Sequence, residues 1–169
     1  MIQRFRSYHP NFAGDVVLVA HSLGGVILFE LLRRGVEYGV NLSFKPRSLF
    51  TLGSPTGMFM HSGDDVPSSD FVLPGGIRFF NIFHPLDPIA YRVEPLLAPE
   101  MSKLLPEQVP AEGYWGGQRL HHRFRSAVDW ATGKQKSQDA VKQNTKIALN
   151  AHERIDWVLQ DPLNVIGEA

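Results

Sequence analysis

The chain has 169 residues, a length that suits one folded domain, and its 17 Lys and Arg balance its 17 Asp and Glu. This neutral balance gives no electrostatic argument for a nucleic-acid partner. The chain has no cysteine, which excludes disulfides, zinc–thiolate sites and a cysteine nucleophile and favours a reducing, cytoplasmic location. We expect neither a signal peptide nor a membrane-spanning helix, because no apolar stretch is long enough.

The first predicted elements are a short helix over residues 2–9 and a strand over residues 16–20. The strand is a continuous apolar run rich in β-branched valine, which is typical of a strand buried on both faces of a sheet. Residues 23–34 follow with apolar side chains at helical spacing, two arginines in the last turn and Gly35 as a stop signal. The sequence therefore predicts a buried strand that leads directly into a helix.

The rest of the chain predicts an α/β protein with a mostly parallel sheet and flanking helices. Three more apolar runs predict strands, at residues 48–52, 77–83 and 155–159. Residues 99–118 are rich in Pro and Gly and predict a loop. Residues 132–146 are polar and poor in aromatic side chains, which predicts a mobile surface insertion. We find no internal repeat, so residues 1–169 are interpreted as a single domain.

A serine lies at the junction between the first strand and its helix, in the segment Ala20-His21-Ser22-Leu23-Gly24. A sharp strand-to-helix turn lifts a serine hydroxyl above the sheet edge, and it requires small neighbours because the backbone is crowded and strained. Ala20 replaces the usual first glycine of this motif. The N–H group of Leu23, at the helix N-terminus, is placed to stabilise an oxyanion. We interpret Ser22 as a catalytic nucleophile; the alternative is a serine that only caps the helix.

The strand at residues 77–83 is followed by a carboxylate that suits the acid of a catalytic triad. In hydrolases with such a serine turn, the acid and then the histidine follow the serine along the chain. Asp87 lies between Pro85 and Pro88, which stiffen the turn and would hold the carboxylate in place. We interpret Asp87 as the triad acid; the alternative is an aspartate that only forms a turn before proline.

No histidine is well placed to act as the base of this triad. The base should follow the last predicted strand, and residues 160–169 contain no histidine. The histidines weighed for the role, with a non-catalytic role favoured for each, are His21, His84, His121, His122 and His152. Few residues precede the serine strand as well. We therefore interpret the chain as an incomplete domain that lacks the first strands and a C-terminal segment of the expected architecture.

Four segments of the chain resemble one known family, and the third segment is the most specific. They are residues 19–25, 50–59, 80–96 and 154–160. From about Phe12 to Gln160 the chain resembles the DDHD domain of intracellular phospholipases that prefer phosphatidic acid and of some phosphatidylinositol-transfer proteins. The resemblance implies a partial α/β-hydrolase fold and a serine esterase that hydrolyses an acyl ester of a phospholipid.

The family is named after four residues, Asp, Asp, His and Asp, once proposed to bind a metal. Asp87 matches the first of them and Asp156, which is either buried or solvent-facing within its strand, matches the second. The resemblance implies that the base is the His of a segment similar to Ser-His-x-x-Tyr-Trp, which these residues do not include. Serine acyl transfer needs no metal ion, so we expect no required cofactor and regard a divalent metal at Asp87 and Asp156 as the weaker interpretation.

Lipid contact is predicted beside the serine. Residues 54–60 follow a strand and should lie near Ser22, where together with residues 71–73 they can form an apolar lip for acyl chains; ordinary packing onto the core is the alternative. Four arginines either meet lipid phosphate or lie in solvent, and these are Arg33, Arg34, Arg123 and Arg125. We therefore expect a phospholipid substrate and a peripheral contact with intracellular membranes.

The sequence favours a DDHD-type phospholipase whose 169 residues alone are inactive or nearly so, because the base is missing. A non-catalytic lipid-binding or membrane-trafficking module on the same fold is the second interpretation. A general lipase or esterase with a convergent serine turn is the third, and the segment at residues 80–96 argues against it.

Overall fold

The computed structural model describes residues 2–40, 42–62, 67–109 and 147–159. The α-helices are α1 (Ile2–Tyr8), α2 (Leu23–Arg34), α3 (Thr56–Ser62) and α4 (Glu94–Leu97). The strands are β1 (Val17–His21), β2 (Ser48–Leu52), β3 (Arg78–Phe83), β4 (Glu107–Val109) and β5 (Asp156–Leu159). Short 3₁₀ helices lie in the connections, at Pro74–Gly76, Pro99–Lys103 and Leu149–His152.

The described strands form one sheet in the order β1-β2-β3-β5-β4, and every pair is parallel. Strands β1, β2 and β3 pair so that Leu18, Leu49 and Phe79 lie side by side. Because all strands run the same way, their C-terminal ends meet at one edge of the sheet, which we call the carboxyl edge; the opposite edge is the amino edge. The predicted α/β class, with a parallel sheet and flanking helices, is confirmed.

One face of the sheet carries the hydrophobic core. Leu49 and Phe79 are completely buried on it. Phe29 of α2 packs against this row, and its ring centroid lies 5.0 Å from that of Phe79. Leu97 of α4 and Met101 of the next 3₁₀ helix join the same cluster. The helices between the strands therefore cover this face and hold it out of water.

The opposite face of β1 is exposed, so the prediction of a strand buried on both faces is wrong. Val17 and Val19 are 46% and 63% exposed, whereas Leu18 packs against the core. β1 is the edge strand of the described sheet and has a neighbour on one side only. Side chains alternate between the two faces along a strand, so a β-branched run does not by itself show that both faces are covered.

The other predicted helices and strands of the described residues are confirmed to within one residue at each end. The loop predicted at residues 99–118 is wrong in its first half, where a 3₁₀ helix and β4 lie. Met101 and Leu104 are buried in the core, and this packing orders a backbone whose Pro and Gly content suggests irregular structure. Residues 110–118 and the predicted insertion at 132–146 lie outside the described residues. No helix within the described ranges is long and apolar enough to cross a membrane.

Candidate active site

Ser22 occupies a strained turn between β1 and α2. Its backbone angles, φ 53° and ψ −130°, lie outside the regions that L-residues usually adopt. Its N–H donates a hydrogen bond of 3.0 Å to the carbonyl oxygen of Leu52, which ties the turn to the end of β2. The Ser22 hydroxyl makes no capping hydrogen bond to α2. The geometry therefore gives no support to a serine that only caps the helix.

The turn needs a very small residue where α2 passes β2. A Cβ atom on Gly25 would lie 2.4 Å from Oγ of Ser54 and 2.9 Å from Cγ2 of Thr51, well inside van der Waals contact. A Cβ atom on Gly24 would meet nothing closer than Cβ of Ala20, at 3.9 Å. Gly25 is therefore the glycine that the packing requires, although Gly24 is the one that belongs to the sequence motif.

Ser54 supports the turn from the neighbouring strand end. Its hydroxyl donates to the carbonyl oxygen of Ser22 at 2.8 Å and shares a 2.7 Å hydrogen bond with the hydroxyl of Thr56. Ser54 is completely buried. Its position beside Ser22 was expected from the sequence, but its supporting role was missed. The signal was present, because Ser54 follows β2 as Ser22 follows β1, and parallel neighbours bring such residues together.

Leu23 is the residue proposed to stabilise an oxyanion. It is the first residue of α2, so its N–H has no acceptor within the helix. The N–H groups at a helix N-terminus carry partial positive charge, which favours a nearby anion. This N–H is therefore available to an oxygen that acquires negative charge beside Ser22. The assignment stays a prediction.

Asp87 lies in the turn that follows β3. Its Oδ1 accepts hydrogen bonds from the N–H groups of Ile89 at 2.9 Å and Ala90 at 3.2 Å, which fold the turn around the carboxylate. Its Oδ2 lies 3.1 Å from the position that a Cβ atom of Gly53 would occupy. Gly53 directly follows β2, between the strand ends that carry Ser22 and Asp87. The serine and the carboxylate thus lie at the same edge of the sheet.

His21 also lies at this edge. Its Nε2 is 3.9 Å from the same Cβ position on Gly53 that Oδ2 of Asp87 approaches. Imidazole and carboxylate therefore converge on one glycine, where any side chain would intrude. Among the described residues, however, no histidine is hydrogen-bonded to Asp87 or to the Ser22 hydroxyl. These contacts therefore do not identify the histidine that acts as the base.

The remaining histidines weighed as bases have other positions. Nδ1 of His84 accepts a hydrogen bond from the N–H of Leu86 at 3.2 Å, so His84 helps to hold the turn of the acid. His152 ends the 3₁₀ helix that precedes β5, toward the amino edge. His121 and His122 lie outside the described residues.

Asp156 is completely buried. Of the two placements that the sequence allowed, buried or solvent-facing, the first is therefore correct. Its carboxylate accepts hydrogen bonds from the side-chain amide of Asn81 at 3.0 Å and from the N–H groups of Val93 and Glu94, both at 2.9 Å. The Asn81 amide also donates to the carbonyl oxygen of Tyr91 at 2.9 Å. These hydrogen bonds hold residues 91–94, which follow the turn of Asp87, against the middle of the sheet.

A second buried carboxylate, Glu94, lies next to Asp156. Two hydrogen bonds of 2.8 Å join it to the guanidinium of Arg154, and it accepts a third from the N–H of Ile155. Burial opposes ionisation of Glu94, but Arg154 and the N–H groups outweigh it and lower the pKa of Glu94. Burial, and then the charge of Glu94, raise the pKa of Asp156 to about 6 against the effect of its hydrogen bonds. One carboxyl group of the pair is thus firmly ionised while the other titrates closer to neutrality.

The surroundings of Asp156 do not fit the metal ion that the family resemblance implies. Both carboxylate oxygens already accept hydrogen bonds from N–H groups. Nε of Arg92 lies 3.5 Å from Oδ2, where its positive charge would repel a cation. Within the described ranges, no group of three or more Asp, Glu, His or Cys side chains could hold a metal ion. We derive no chemical step from a metal at Asp87 or Asp156.

The segment expected to form an apolar lip lies beside Ser22, and α3 exposes part of it. Met58 and Phe59 are 44% and 45% exposed, whereas the other side chains at residues 54–60 are buried. For residues 71–73 the structure favours the alternative, which is packing onto the core. Leu73 belongs to the core, because the chain has by then run back toward the amino edge, where β3 begins.

The arginines considered as lipid ligands are paired with neighbouring acids. Nε of Arg33 lies 3.3 Å from Glu30, and Nε of Arg34 lies 3.3 Å from Glu37. Both arginines are in the last turn of α2, which begins at the carboxyl edge and runs away from it. This placement argues against contact with lipid phosphate beside Ser22; the solvated-surface alternative fits Arg34 but not Arg33, whose side chain is only 8% exposed. Arg123 and Arg125 lie outside the described residues.

The chain matches one protein family over about half of its length. The match is to the DDHD domain, at residues 42–127. It includes Asp87 of the candidate site, whereas Ser22 lies before it and Asp156 after it. No solved structure matches the chain. The interpretation of Ser22 therefore rests on the geometry of its turn.

Relatives of the chain include lipid hydrolases and an interaction protein. A probable mitochondrial phospholipase of Schizosaccharomyces pombe is 37% identical over 123 residues, which cover 59% of this chain and 16% of that protein. A triacylglycerol hydrolase of Mus musculus is 38% identical over 120 residues, covering 70% and 17%. SEC23-interacting protein of Homo sapiens is 38% identical over 102 residues, covering 59% and 10%. The chain thus spans less than a fifth of the length of these relatives.

Proposed function

The chain belongs to the DDHD domain family, and we propose that it is a serine ester hydrolase that acts on the acyl esters of phospholipids. Relatives named as phospholipases support this substrate class. The observation that carries the proposal is the turn at Ser22. Its hydroxyl does not cap α2, and the carboxylate of Asp87 approaches Gly53 at the same sheet edge.

The α/β-hydrolase fold is the finer description that we propose for this sheet. Its support is a parallel sheet in which a strained serine turn follows β1 and a carboxylate turn follows β3. In that fold the acid comes after the serine along the chain, and both lie at the carboxyl edge. The open edge of β1, which has a neighbour on one side only, suits a strand that has further neighbours in a larger sheet, since an open edge is otherwise a liability.

In the proposed reaction, Oγ of Ser22 bonds to the carbonyl carbon of the lipid ester while a histidine takes the hydroxyl proton. The N–H of Leu23 donates a hydrogen bond to the resulting oxyanion. The histidine then gives its proton to the departing lysophospholipid oxygen, which leaves an acyl group on Ser22. Water releases the fatty acid by the same proton transfers. Asp87 orients the histidine and stabilises its protonated form.

We assign the base to a histidine outside the contacts described around Ser22. The family resemblance places it in a segment similar to Ser-His-x-x-Tyr-Trp. Loss of the base costs about 10⁶ in turnover in a serine protease. We therefore expect these 169 residues alone to be inactive or nearly so as a phospholipase, with residual reactivity that depends on Ser22.

The setting that we propose is the cytoplasmic surface of intracellular membranes, with the phospholipid as the partner. The absence of cysteine favours a reducing compartment. A peripheral contact is enough, because the acyl esters of a phospholipid lie near the bilayer surface. The names of two fungal relatives include the word mitochondrial, so the choice of membrane stays open.

A second candidate function is a non-catalytic lipid-binding or membrane-trafficking module on the same fold. A relative named SEC23-interacting protein favours it. The two candidates differ in the reactivity of Ser22, which a module does not need.

A fluorophosphonate probe, which forms a covalent bond with activated serines, separates these two functions. We expect slow labelling of the 169-residue chain that Ser22→Ala abolishes. The matched control is Ser62→Ala, which removes an exposed hydroxyl at the end of α3 and should leave labelling unchanged. Absence of labelling in a longer chain that also includes the segment similar to Ser-His-x-x-Tyr-Trp, together with phospholipid binding that Ser22→Ala leaves intact, would instead establish the module.

A further inference from the structure

Exposed apolar side chains lie in the segments that meet around Ser22, and we call them the rim. The rim consists of Leu23, Met58, Phe59, Leu86, Ile89 and Tyr91. The segments touch one another, since Ser54 at the start of the α3 segment bonds to Ser22 at 2.8 Å. A Cβ atom on Gly57 of α3 would lie 3.4 Å from Cβ of Tyr91. The rim therefore forms one continuous border at the carboxyl edge.

This border is almost free of charge. Residues 21–24, 52–62 and 84–91 carry one acidic or basic side chain, Asp87, apart from histidines. That carboxylate is directed inward, because its Oδ1 bonds to the turn and its Oδ2 lies over Gly53. Charged residues make up 20% of the whole chain, so the carboxyl edge is depleted of charge where its apolar side chains are exposed.

The most exposed part of the rim is a turn whose backbone N–H groups are all satisfied internally. The N–H of Leu86 donates to Nδ1 of His84, and that of Asp87 donates to the carbonyl oxygen of His84. The N–H groups of Ile89 and Ala90 donate to Oδ1 of Asp87. The remaining residues of the turn are prolines and have no N–H. Because an unsatisfied donor is costly away from water, the satisfied N–H groups remove one cost of placing this turn in a medium of low polarity.

We propose that the rim is the surface by which this protein docks on a lipid bilayer, with Leu86 and Ile89 entering the boundary between head groups and acyl chains. The proposal rests on the proposed function, because a phospholipid ester would reach Ser22 from the bilayer. A protein partner fits less well. The turn offers it no backbone donors and the border offers no outward charge, and such groups usually orient protein interfaces.

Flotation with vesicles tests the proposal without requiring activity. The 169-residue chain is mixed with vesicles of phosphatidylcholine, with and without phosphatidic acid, and we expect binding to both. Replacing both tip residues, Leu86→Ser with Ile89→Ser, should lower the partition coefficient by about tenfold or more, since two apolar side chains no longer leave water. The matched control is Val36→Ser with Tyr38→Ser, a pair that follows α2 and is at least as exposed as the tip residues, and it should bind like the unchanged chain.

A fluorescent label reports which residues enter the lipid. The chain has no cysteine, so Leu86→Cys and Val36→Cys each carry a single environment-sensitive dye. Their positions are 72% and 73% exposed, which makes the two labels comparable. We expect the dye at position 86 to brighten and shift to shorter wavelength with vesicles, and the dye at position 36 to stay unchanged.

Several results would overturn the proposal that the rim docks on a lipid bilayer. They are absence of vesicle binding, equal loss in the two double variants, and binding that requires phosphatidic acid but ignores the tip residues. A response of the dye at position 86 to protein concentration without vesicles would identify a protein interface instead. Ser22→Ala should bind vesicles like the unchanged chain, so the failure of serine labelling and the failure of docking are observed separately.

Discussion

Asn81 and Asp156 are paired in register across β3 and β5 and are joined by a hydrogen bond of 3.0 Å between Nδ2 and Oδ1. Both residues are completely buried. Oδ1 of Asn81 in turn accepts a hydrogen bond of 3.2 Å from the hydroxyl of Thr51 in β2. A row of three polar side chains thus crosses the core side of the sheet, and it holds the segment at Tyr91–Glu94 that follows the turn of the acid.

Replacing Asn81 by Leu tests this row. We expect Asn81→Leu to lower the free energy of unfolding by about 3 kcal/mol, because Thr51, Asp156 and the carbonyl of Tyr91 each lose a buried partner. Urea denaturation measures the change. The matched control is Asn11→Leu, at an exposed position, where the change should stay within about 0.5 kcal/mol. Equal stability of the two variants would show that the row is not needed.

The raised pKa of Asp156 predicts how stability depends on pH. Its pKa in the folded chain is about 6, above the ordinary 3.8, so between these values the folded state holds a proton that the unfolded state has lost. The resulting stabilisation is complete below the lower pKa and is lost as pH rises through the higher one, by at most about 3 kcal/mol. We expect this fall in wild type and not in Asp156→Asn.

The difference between wild type and Asp156→Asn isolates this group. Glu94, whose pKa is lowered, contributes in the opposite sense: its stabilisation is present above its ordinary pKa and is lost as pH falls through its folded pKa. Both proteins retain Glu94, so its contribution largely cancels in the difference. A difference curve that is flat, or that rises, between about pH 4 and pH 6 contradicts the assignment.

The two glycines after Ser22 should respond differently to alanine. Gly25→Ala places a methyl group against Ser54 and Thr51, and we expect a loss of about 2 kcal/mol or more from overpacking. Gly24→Ala meets no close neighbour, and the higher helix propensity of alanine should leave stability unchanged or raise it by up to about 1 kcal/mol. Thermal unfolding of the two variants measures both effects. A larger loss of stability in Gly24→Ala than in Gly25→Ala would contradict the packing described at the turn.

The turn at Ser22 could be predicted because its determinants are contiguous. The strand, the small residues and the helix start stand next to one another in the sequence, so local rules suffice. The turn of Asp87 could be predicted for the same reason, because its prolines and the strand before it are adjacent in the sequence. Local sequence is therefore enough to predict that the serine and the acid both lie at strand ends.

The buried row and the exposed valines could not be predicted in this way. Asn81 and Asp156 are 75 positions apart, and their contact exists only because β5 inserts between β3 and β4. Likewise, the composition of β1 is that of a strand covered on both faces, whereas the exposure of Val17 and Val19 depends on what packs over their face of the sheet. Both outcomes are set by contacts between distant parts of the chain, which periodicity along the chain does not encode.

Peptide mass spectrometry of the chain after reaction with a fluorophosphonate probe identifies the residue that carries the adduct, and so it shows whether Ser22 is the nucleophile. We expect an adduct on Ser22 that Ser22→Ala abolishes and Ser62→Ala retains. An adduct on another residue, or labelling that persists in Ser22→Ala, would contradict the claim that this turn carries a catalytic nucleophile.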